Sequence, residues 1–599
     1  MEQYWPYGDA SLSLQNPYWI QNRINRTSNK KRYMMNASLK WQATDWLNVV
    51  GRVNLDNSDY RNKNEKSAST LTTFCGVSGG FEDAMRQERS LYADFLANID
   101  KTFGDFHLTA NVGASIYHTS MDQLYIAGDL VIPNFFQINN INFSANYKPD
   151  PTGYEDEIQS IFASAELSWK NQLYLTVTGR NDWDSKLAFS KQKSFFYPSV
   201  GLSALLSEMV KLPEVISYAK IRGSYTVVAS SFDRFLTNPG YEYNSQTHNW
   251  ANPTVYPMDN MKPEKTKSWE IGLNLKFWGN RFNLDATYYR SNTLNQTFKV
   301  DIPSSSGYKQ AIVQAGNVQN QGLELALGFN DKWAGFGWSS NATFTLNRNK
   351  VKRLASGSVN PVTGEAIQMD EMNVGWLGKE NVAPRVILTE GGSMTDIYVY
   401  NQLTKDNNGN IKVDQNGNLG ITSSNTPVKV GNLDADFNLG WTNHFTYKGI
   451  DLGVVLSARV GGLAYSATQG ILDYYGVSET SATARDNGGI PINNGKVNAQ
   501  KYYQTIGTGE GGYGRYYLYS ATNVRLQELS LNYTLPKRWF KNVANVTLGI
   551  VGRNLWMIYC KAPFDPELSA STSSNYYMNV DYFMQPSLRN FGFNVKVQF

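Results

Sequence analysis

Cysteine is nearly absent: Cys75 and Cys560 are the only two in 599 residues. A disulfide framework and a cysteine metal cluster are thereby excluded, and two unpaired thiols are expected. Histidine is almost as scarce, with His107, His118, His248 and His444 scattered at no metal-ligand spacing. No phosphate-binding loop is present, and no nucleophile can be paired with a base, so neither an enzyme nor a resident metal or cofactor is expected. Charged residues make up only 18% of the chain, against roughly 25% in a typical soluble protein. The 55 basic and 51 acidic residues leave a net +4, too little to argue for a nucleic-acid partner. Long apolar runs are lacking too: the nearest, Ile450 to Val460, is broken by Asp451 and Arg459, so no transmembrane helix is predicted. The opening MEQYWPYGDAS has neither the basic nor the apolar region of a signal peptide, and an exported chain would need one from upstream sequence.

What the chain does have is glycine (49), tyrosine (37), phenylalanine (28) and tryptophan (15), a turn-rich and aromatic β composition. From near Arg32 onward the apolar residues alternate. Tyr33, Met35, Ala37, Leu39 and Trp41 share one parity, and after Thr44-Asp45-Trp46 the chain returns through Leu47, Val49, Val53 and Leu55. A period of two on both sides of a turn predicts a hairpin. The same unit recurs to the carboxyl terminus, where Phe591, Phe593, Val595, Val597 and Phe599 alternate with small or polar residues. The pattern predicts about seventeen strands of nine to eleven residues, the length a tilted strand needs to cross a bilayer. An odd total is awkward for a closed bacterial barrel.

The connections sort into two kinds. Those at 43–46, 102–105, 170–172, 278–281 and 448–451 are short, and those at 58–87, 120–155, 228–266, 347–432, 461–515 and 556–586 are long. Short turns at one end and long loops at the other characterise outer-membrane barrels, the long loops lying outside the cell. Charge gives an independent test. Arg52, Asp94, Glu166, Arg180, Lys220, Arg222, Glu270, Asp285, Glu324, Asp436, His444, Arg459 and Arg553 all take the parity opposite to their strand's apolar residues. In a barrel that parity faces a watery lumen, whereas a cation on the lipid face near the midplane costs roughly 2–4 kcal/mol. A two-sheet soluble protein predicts the same parity but not the same sorting of loops. One misfit stands out: Val524 and Leu526 oppose the parity of Leu529, Leu531 and Tyr533, which calls for a bulge or for a strand running beyond the membrane.

Four ordered stretches resemble the C-terminal halves of SusC-like TonB-dependent transporters of Bacteroidota: PEKTKSWEIGLNLKFWGNRFNLDATYYRSNT from Pro263, AGNVQNQGLELAL from Ala315, GNLDADFNLGWTNHFTYKGIDLGVVLSARVGG from Gly431 and ATNVRLQELSLNYTLP from Ala521. Gln15-Asn16-Pro17-Tyr18-Trp19 is similar to a segment preceding a mid-barrel strand, and Thr226 departs from a glycine common in the family. The resemblance implies an all-β, transmembrane antiparallel barrel of 22 strands, of which about 17 lie here. Residues 1–31 would be a partial strand or loop entering it, and 32–599 the C-terminal part of the barrel. It further implies a plug domain, TonB box and signal peptide that these residues do not resemble. The implied partners are a SusD-like surface lipoprotein, TonB-ExbB-ExbD acting through the plug, the barrel-assembly machinery with Phe599 as its signal, and outer-membrane lipid. The implied activity is energised import of oligosaccharides or peptides. A surface glycan-binding protein or adhesin that transports nothing is the alternative, and a soluble β-rich lectin a third.

Recognition chemistry falls to the long loops, where aromatics gather. Trp250, Tyr256, Tyr474, Tyr475, Tyr513, Tyr516, Tyr517, Tyr576, Tyr577 and Tyr582, with Tyr502 and Tyr503, are candidate cargo contacts, since aromatic faces stack on sugar rings. Packing of loop against loop, or an interfacial girdle, is the competing expectation. The luminal candidates are Arg222, Glu270, Asp285, Asp436, Arg459 and Arg553. Asp406-Asn407-Asn408-Gly409-Asn410 and Asp414-Gln415-Asn416-Gly417-Asn418 place oxygens as a calcium loop does, but lack its twelfth-position glutamate, and Asn-Gly favours a tight turn. Two β-turns are predicted there.

Overall fold

The computed structural model describes residues 15–143, 149–237, 240–244, 249–257, 261–302, 304–355, 359–360, 362, 364–366, 369–568, 570 and 579–599. Seventeen long strands build one antiparallel sheet: β1 (Ile24–Thr44), β2 (Leu47–Lys66), β3 (Gly80–Phe103), β4 (Phe106–Asp129), β5 (Asp150–Trp169), β6 (Leu173–Asp184), β7 (Phe195–Leu205), β8 (Ile216–Ser230), β9 (Glu264–Phe277), β10 (Phe282–Asp301), β11 (Gln310–Trp333), β12 (Phe336–Arg353), β13 (Phe437–Tyr447), β14 (Ile450–Val460), β15 (Asn523–Thr534), β16 (Asn545–Cys560) and β17 (Asn590–Gln598). Each pairs with its neighbour in sequence. Among the described residues no ladder joins β17 to β1, so each keeps one unpaired edge. The expected number of strands is thus met, and a short helix, Pro17–Arg23, leads into the first. β1 begins at Ile24, eight residues before the alternation becomes readable at Arg32.

Tight turns explain the hairpins. Lys448 and Gly449, both at positive φ (45° and 88°), turn β13 into β14, and Ala334 and Gly335 (46° and 88°) do the same between β11 and β12. Two successive positive φ values give the turn whose twist matches the strands it joins. At these turn ends the outward parity is aromatic. Phe277 stacks on Phe282 at 5.5 Å, Phe282 meets Phe329 at 4.7 Å, Phe329 meets Trp338 at 4.8 Å and Trp338 meets Phe445 at 6.1 Å. At the loop end Trp269 and Tyr288 lie 5.5 Å apart. Eight residues separate Phe277 from Trp269, roughly 27 Å along the strand, and between them the outward residues Leu275, Leu273 and Ile271 are apolar. Two aromatic girdles around an apolar band about 25 Å tall define the membrane-spanning zone.

The predicted strand length needs correction. β3, β4 and β11 each run 24 residues and β1 runs 21, so the loops expected at 58–87 and 120–155 shrink to 67–79 and 130–149. Above the membrane both faces meet water, so alternation lapses in stretches such as Lys30-Lys31-Arg32 while the backbone ladder continues. The bulge is where the parity break placed it. Val455 pairs with Glu528 and Leu456 with Leu526, leaving Gln527 unpaired, so Leu526 returns to the outward face. Cys75 and Cys560 are both free thiols.

The described residues of three long connections, 354–436, 461–522 and 561–589, fold together into a cap with its own core. Leu354, Leu377, Val386, Leu388, Ile397, Tyr465, Tyr517 and Val580 pack in one buried cluster with Val313, Val318 and Val351 from the top of the wall. A four-stranded sheet (Glu371–Trp376, Arg385–Thr389, Asp396–Leu403, Ile421–Asn432) and three helices, α1 (Ala467–Tyr474), α2 (Glu479–Asp486) and α3 (Ala499–Gly507), frame it. Each helix starts on a side-chain cap, with Ser466, Ser478 and Asn498 accepting a backbone N–H.

Candidate functional site

The inner face of the wall is polar, and several of its charges are paired. Arg52 meets Asp94 at 2.8 Å, Arg553 meets Glu528 at 2.8 Å and Arg222 meets Asp285 at 2.9 Å. The last pair spans β8 to β10 across β9, and Gly272 makes it possible: a Cβ there would stand 2.5 Å from the Arg222 Cζ. Asn274 also donates to Asp285, at 3.0 Å, and Glu270 shares the face, two residues from Gly272. Gly272→Val is expected to part Arg222 from Asp285 and to lower barrel stability by roughly 1 kcal/mol, because both groups keep contact with water. Heat-modifiable gel mobility measures it, and an unshifted transition would count against the crossing. Arg459 donates to the Leu433 carbonyl at the foot of the cap. Asp436 is corrected in place: it precedes β13, is exposed, and stands 3.8 Å from Arg348 at the rim, outside the luminal row.

The loop aromatics divide. Tyr517 is 2% exposed and fills the cap core, so the expectation of cargo contact is corrected to packing: three loops closing over one ring leave it no free face. Tyr516 is half-buried, its hydroxyl accepting the Leu403 N–H at 2.7 Å. Tyr513 is half-buried as well, and Tyr256 lies edge-on to Tyr308 at 5.2 Å against the core. Trp250 and Tyr582 are exposed, Trp250 5.1 Å from Tyr243 and Tyr582 5.7 Å from Phe583. Tyr576, Tyr577 and His248 lie outside the described residues.

Tyr474 and Tyr475 are brought together with residues that alternation could not reveal. They stand edge to face at 5.1 Å and line a cleft of about 530 Å³ with Arg485, Gln500, Tyr503 and Gln504. Asp473 at its base accepts from Gln469 at 2.8 Å and from Thr480 at 2.9 Å. Amide and guanidinium donors beside aromatic faces can bind a polar, ring-bearing cargo. The signal that could have found this cleft was the capping pattern, Ser466 and Ser478 each three residues ahead of the N–H it accepts. A second aromatic cluster has no periodic signature in the sequence: Arg385 lies 4.4 Å over the Trp376 ring and donates to the Tyr400 hydroxyl at 2.8 Å.

The two Asp-x-Asn-Gly-Asn segments form the expected turns. Asp406 accepts N–H groups of Asn408 and Asn410 at 2.8 and 2.9 Å, and Asp414 those of Asn416 and Asn418, both at 2.8 Å. Their carboxylates serve the turns themselves. Gly76-Val77-Ser78-Gly79-Gly80 has the spacing of a hydrolase nucleophile elbow, but it joins β2 to β3 where an elbow joins a strand to a helix.

Burial raises the cap phenols: Tyr502 and Tyr519 are pushed up to about 12, and Tyr465 and Tyr517 are raised by the same cause. A phenol whose folded value is raised holds its proton longer in the native state, so its contribution is complete below pH about 10 and is lost as pH climbs through 12. The cap is therefore expected to open in alkali with cooperative phenolate absorbance, and phenols titrating at their ordinary value in a folded cap would contradict it.

A polar-lined, girdled sheet of spanning strands under a folded cap defines the wall of an outer-membrane β-barrel. Residues 3–555 match the family model for the TonB dependent receptor-like β-barrel, and the chain belongs to that family. It is 24% identical over 570 residues to TonB-dependent receptor P3 of Formosa agariphila, covering 89% of this chain and 54% of that protein. To TonB-dependent receptor SusC of Bacteroides thetaiotaomicron it is 25% identical over 452 residues, 71% of this chain and 43% of SusC. The chain thus spans about half the length of the curated relatives it matches. Among solved structures, the RagAB peptide transporter superposes with a TM-score of 0.76 at 16% identity, over 98% of this chain and 63% of that one. The fold is shared, and the protein resides in the outer membrane.

Proposed function

We propose that this chain forms the greater part of the wall and the cargo-facing cap of a SusC-type importer for oligosaccharides or peptides. The observation that carries the reading is the cap cleft of Tyr474, Tyr475, Arg485 and Tyr503, on a wall whose inner face pairs Arg222 with Asp285. A SusD-like lipoprotein closing over the cap, and TonB-ExbB-ExbD acting through a plug supplied from outside these residues, complete the machine. Further strands pairing with the free edges of β1 and β17 would close the barrel, since lipid does not tolerate an open edge. SusC and the RagAB peptide transporter support import, and RagAB supports a peptide among the possible cargoes.

The test is co-expression with a plug-bearing segment and a SusD-like lipoprotein. Insertion in outer membranes with TonB-dependent uptake is expected, and a chain that fails to insert would sink the proposal. The exposed pairs Trp250 with Tyr243 and Tyr582 with Phe583 favour one other reading, a surface glycan-binding protein. It predicts binding that survives loss of TonB with no uptake at all.

A further inference from the structure

Just above the loop-side girdle the outward face of the wall is unevenly charged. On β9 to β12 the lipid-facing parity continues past Ile271, Tyr288, Leu323 and Leu346 into a cross-strand row of Trp269, Arg290, Gln321 and Arg348. The next row holds Lys267, Asn292, Gln319 and Lys350, and Lys265 follows on β9. Strands lie about 4.8 Å apart and same-face rows about 7 Å apart, so these cations share a patch roughly 15 Å across. Lys267 and Lys350 are exposed, and Lys265 and Arg290 half-buried. Among the described residues none of these four has a carboxylate within 4.0 Å, while Arg348 has Asp436 at 3.8 Å.

The collar over β2 to β5 differs. There Asp59, Asp83, Asp122, Glu155 and Glu157 share the outward parity with Arg61, Lys63 and Arg89, Arg61 is paired with Asp83 at 2.7 Å, and His118 stands 3.7 Å from Glu157. Like charges within a Debye length repel unless an anion joins them. Two residues beyond an interfacial Trp–Tyr pair, the surrounding medium is the head-group layer of the outer leaflet.

We propose that the outer face of β9 to β12 is a binding site for the phosphates of an outer-leaflet lipid, held by Lys267, Arg290 and Lys350 with Lys265 and Arg348 flanking. Arg290 offers a planar fork to phosphate oxygens and the lysines supply point charges. The site fixes which arc of the wall gathers anionic lipid and leaves the β2 to β5 arc without it.

The complete outer-membrane assembly, purified in detergent, is titrated with bis-phosphorylated lipid A, with the same lipid stripped of both phosphates, and with inorganic phosphate, and retained lipid is read by native mass spectrometry. The phosphorylated lipid is expected to bind at least about tenfold more tightly than the stripped one, since each basic residue near an anionic head group adds on the order of fivefold. Triple substitution Lys267→Gln, Arg290→Gln, Lys350→Gln is expected to erase that preference, and Arg89→Gln on the opposite arc to leave it intact. Equal retention of both lipids overturns the proposal, and so does an unchanged triple variant. Inorganic phosphate binding as tightly as the lipid overturns it too, by making the ligand a free anion. The two-lipid comparison on the unsubstituted protein decides the matter even if the triple variant fails to assemble.

Discussion

Leu273→Arg is expected to reduce assembled barrel several-fold. Leu273 lies midway between the girdles, four residues from both Trp269 and Phe277, and on their outward parity. At that depth an arginine cannot reach either head-group layer, and the cost is roughly 2–4 kcal/mol, a large share of the 5–15 kcal/mol or so that stabilises an ordinary fold. Thr345→Arg is the matched control. Thr345 is exposed on the opposite, inward parity, paired with Glu324, so its guanidinium would enter water beside a carboxylate. Equal losses from the two variants, measured as heat-modifiable protein in outer membranes, would show that parity does not separate lipid from water.

The second large effect belongs to the cap. Arg525 at the top of β15 has a side chain only 5% exposed, and it donates two hydrogen bonds to Asp565, at 2.9 and 3.2 Å, with Glu567 at 3.4 Å. Asp565→Ala removes the main partner and leaves a buried guanidinium, a defect of roughly 3–5 kcal/mol. The connection 561–589 is expected to detach from the cap and become protease-sensitive, while the wall stays assembled. Arg525→Met together with Asp565→Ala should recover much of the loss, because no buried unpaired charge remains and Glu567 is open to water. Protease resistance unchanged in the single variant would mean that the ion pair holds nothing in place.

Features set by local periodicity are legible in the sequence. The hairpins, the number of strands, the luminal parity of Arg222 and Asp285 and the bulge at Gln527 all follow from which face a residue takes, and a period of two reports that directly. Strand ends could not be read, because above the bilayer Lys30-Lys31-Arg32 meets water on both faces. The cap was illegible for a different reason. α1, α2 and α3 are eight, eight and nine residues long, too short to hold as helices without tertiary packing.

Loop contacts are also remote in sequence. Asn579, at φ 61°, donates to the carbonyls of Leu433 and Leu463, positions 146 and 116 residues away. Tyr517 and Tyr475 look alike as tyrosines in a long loop, yet one is 2% and the other 43% exposed. Which side chain closes a core and which lines a cleft depends on how three loops meet.

The sheet separates lipid from water. A nitroxide side chain placed singly at each position from Trp269 to Phe277 of the full chain, assembled in outer membranes, tests it most directly. Collision rates with oxygen should peak at 269, 271, 273, 275 and 277, and those with a water-soluble nickel complex at 270, 272, 274 and 276. A profile without that two-residue period, or with the two reagents exchanged, would contradict the account.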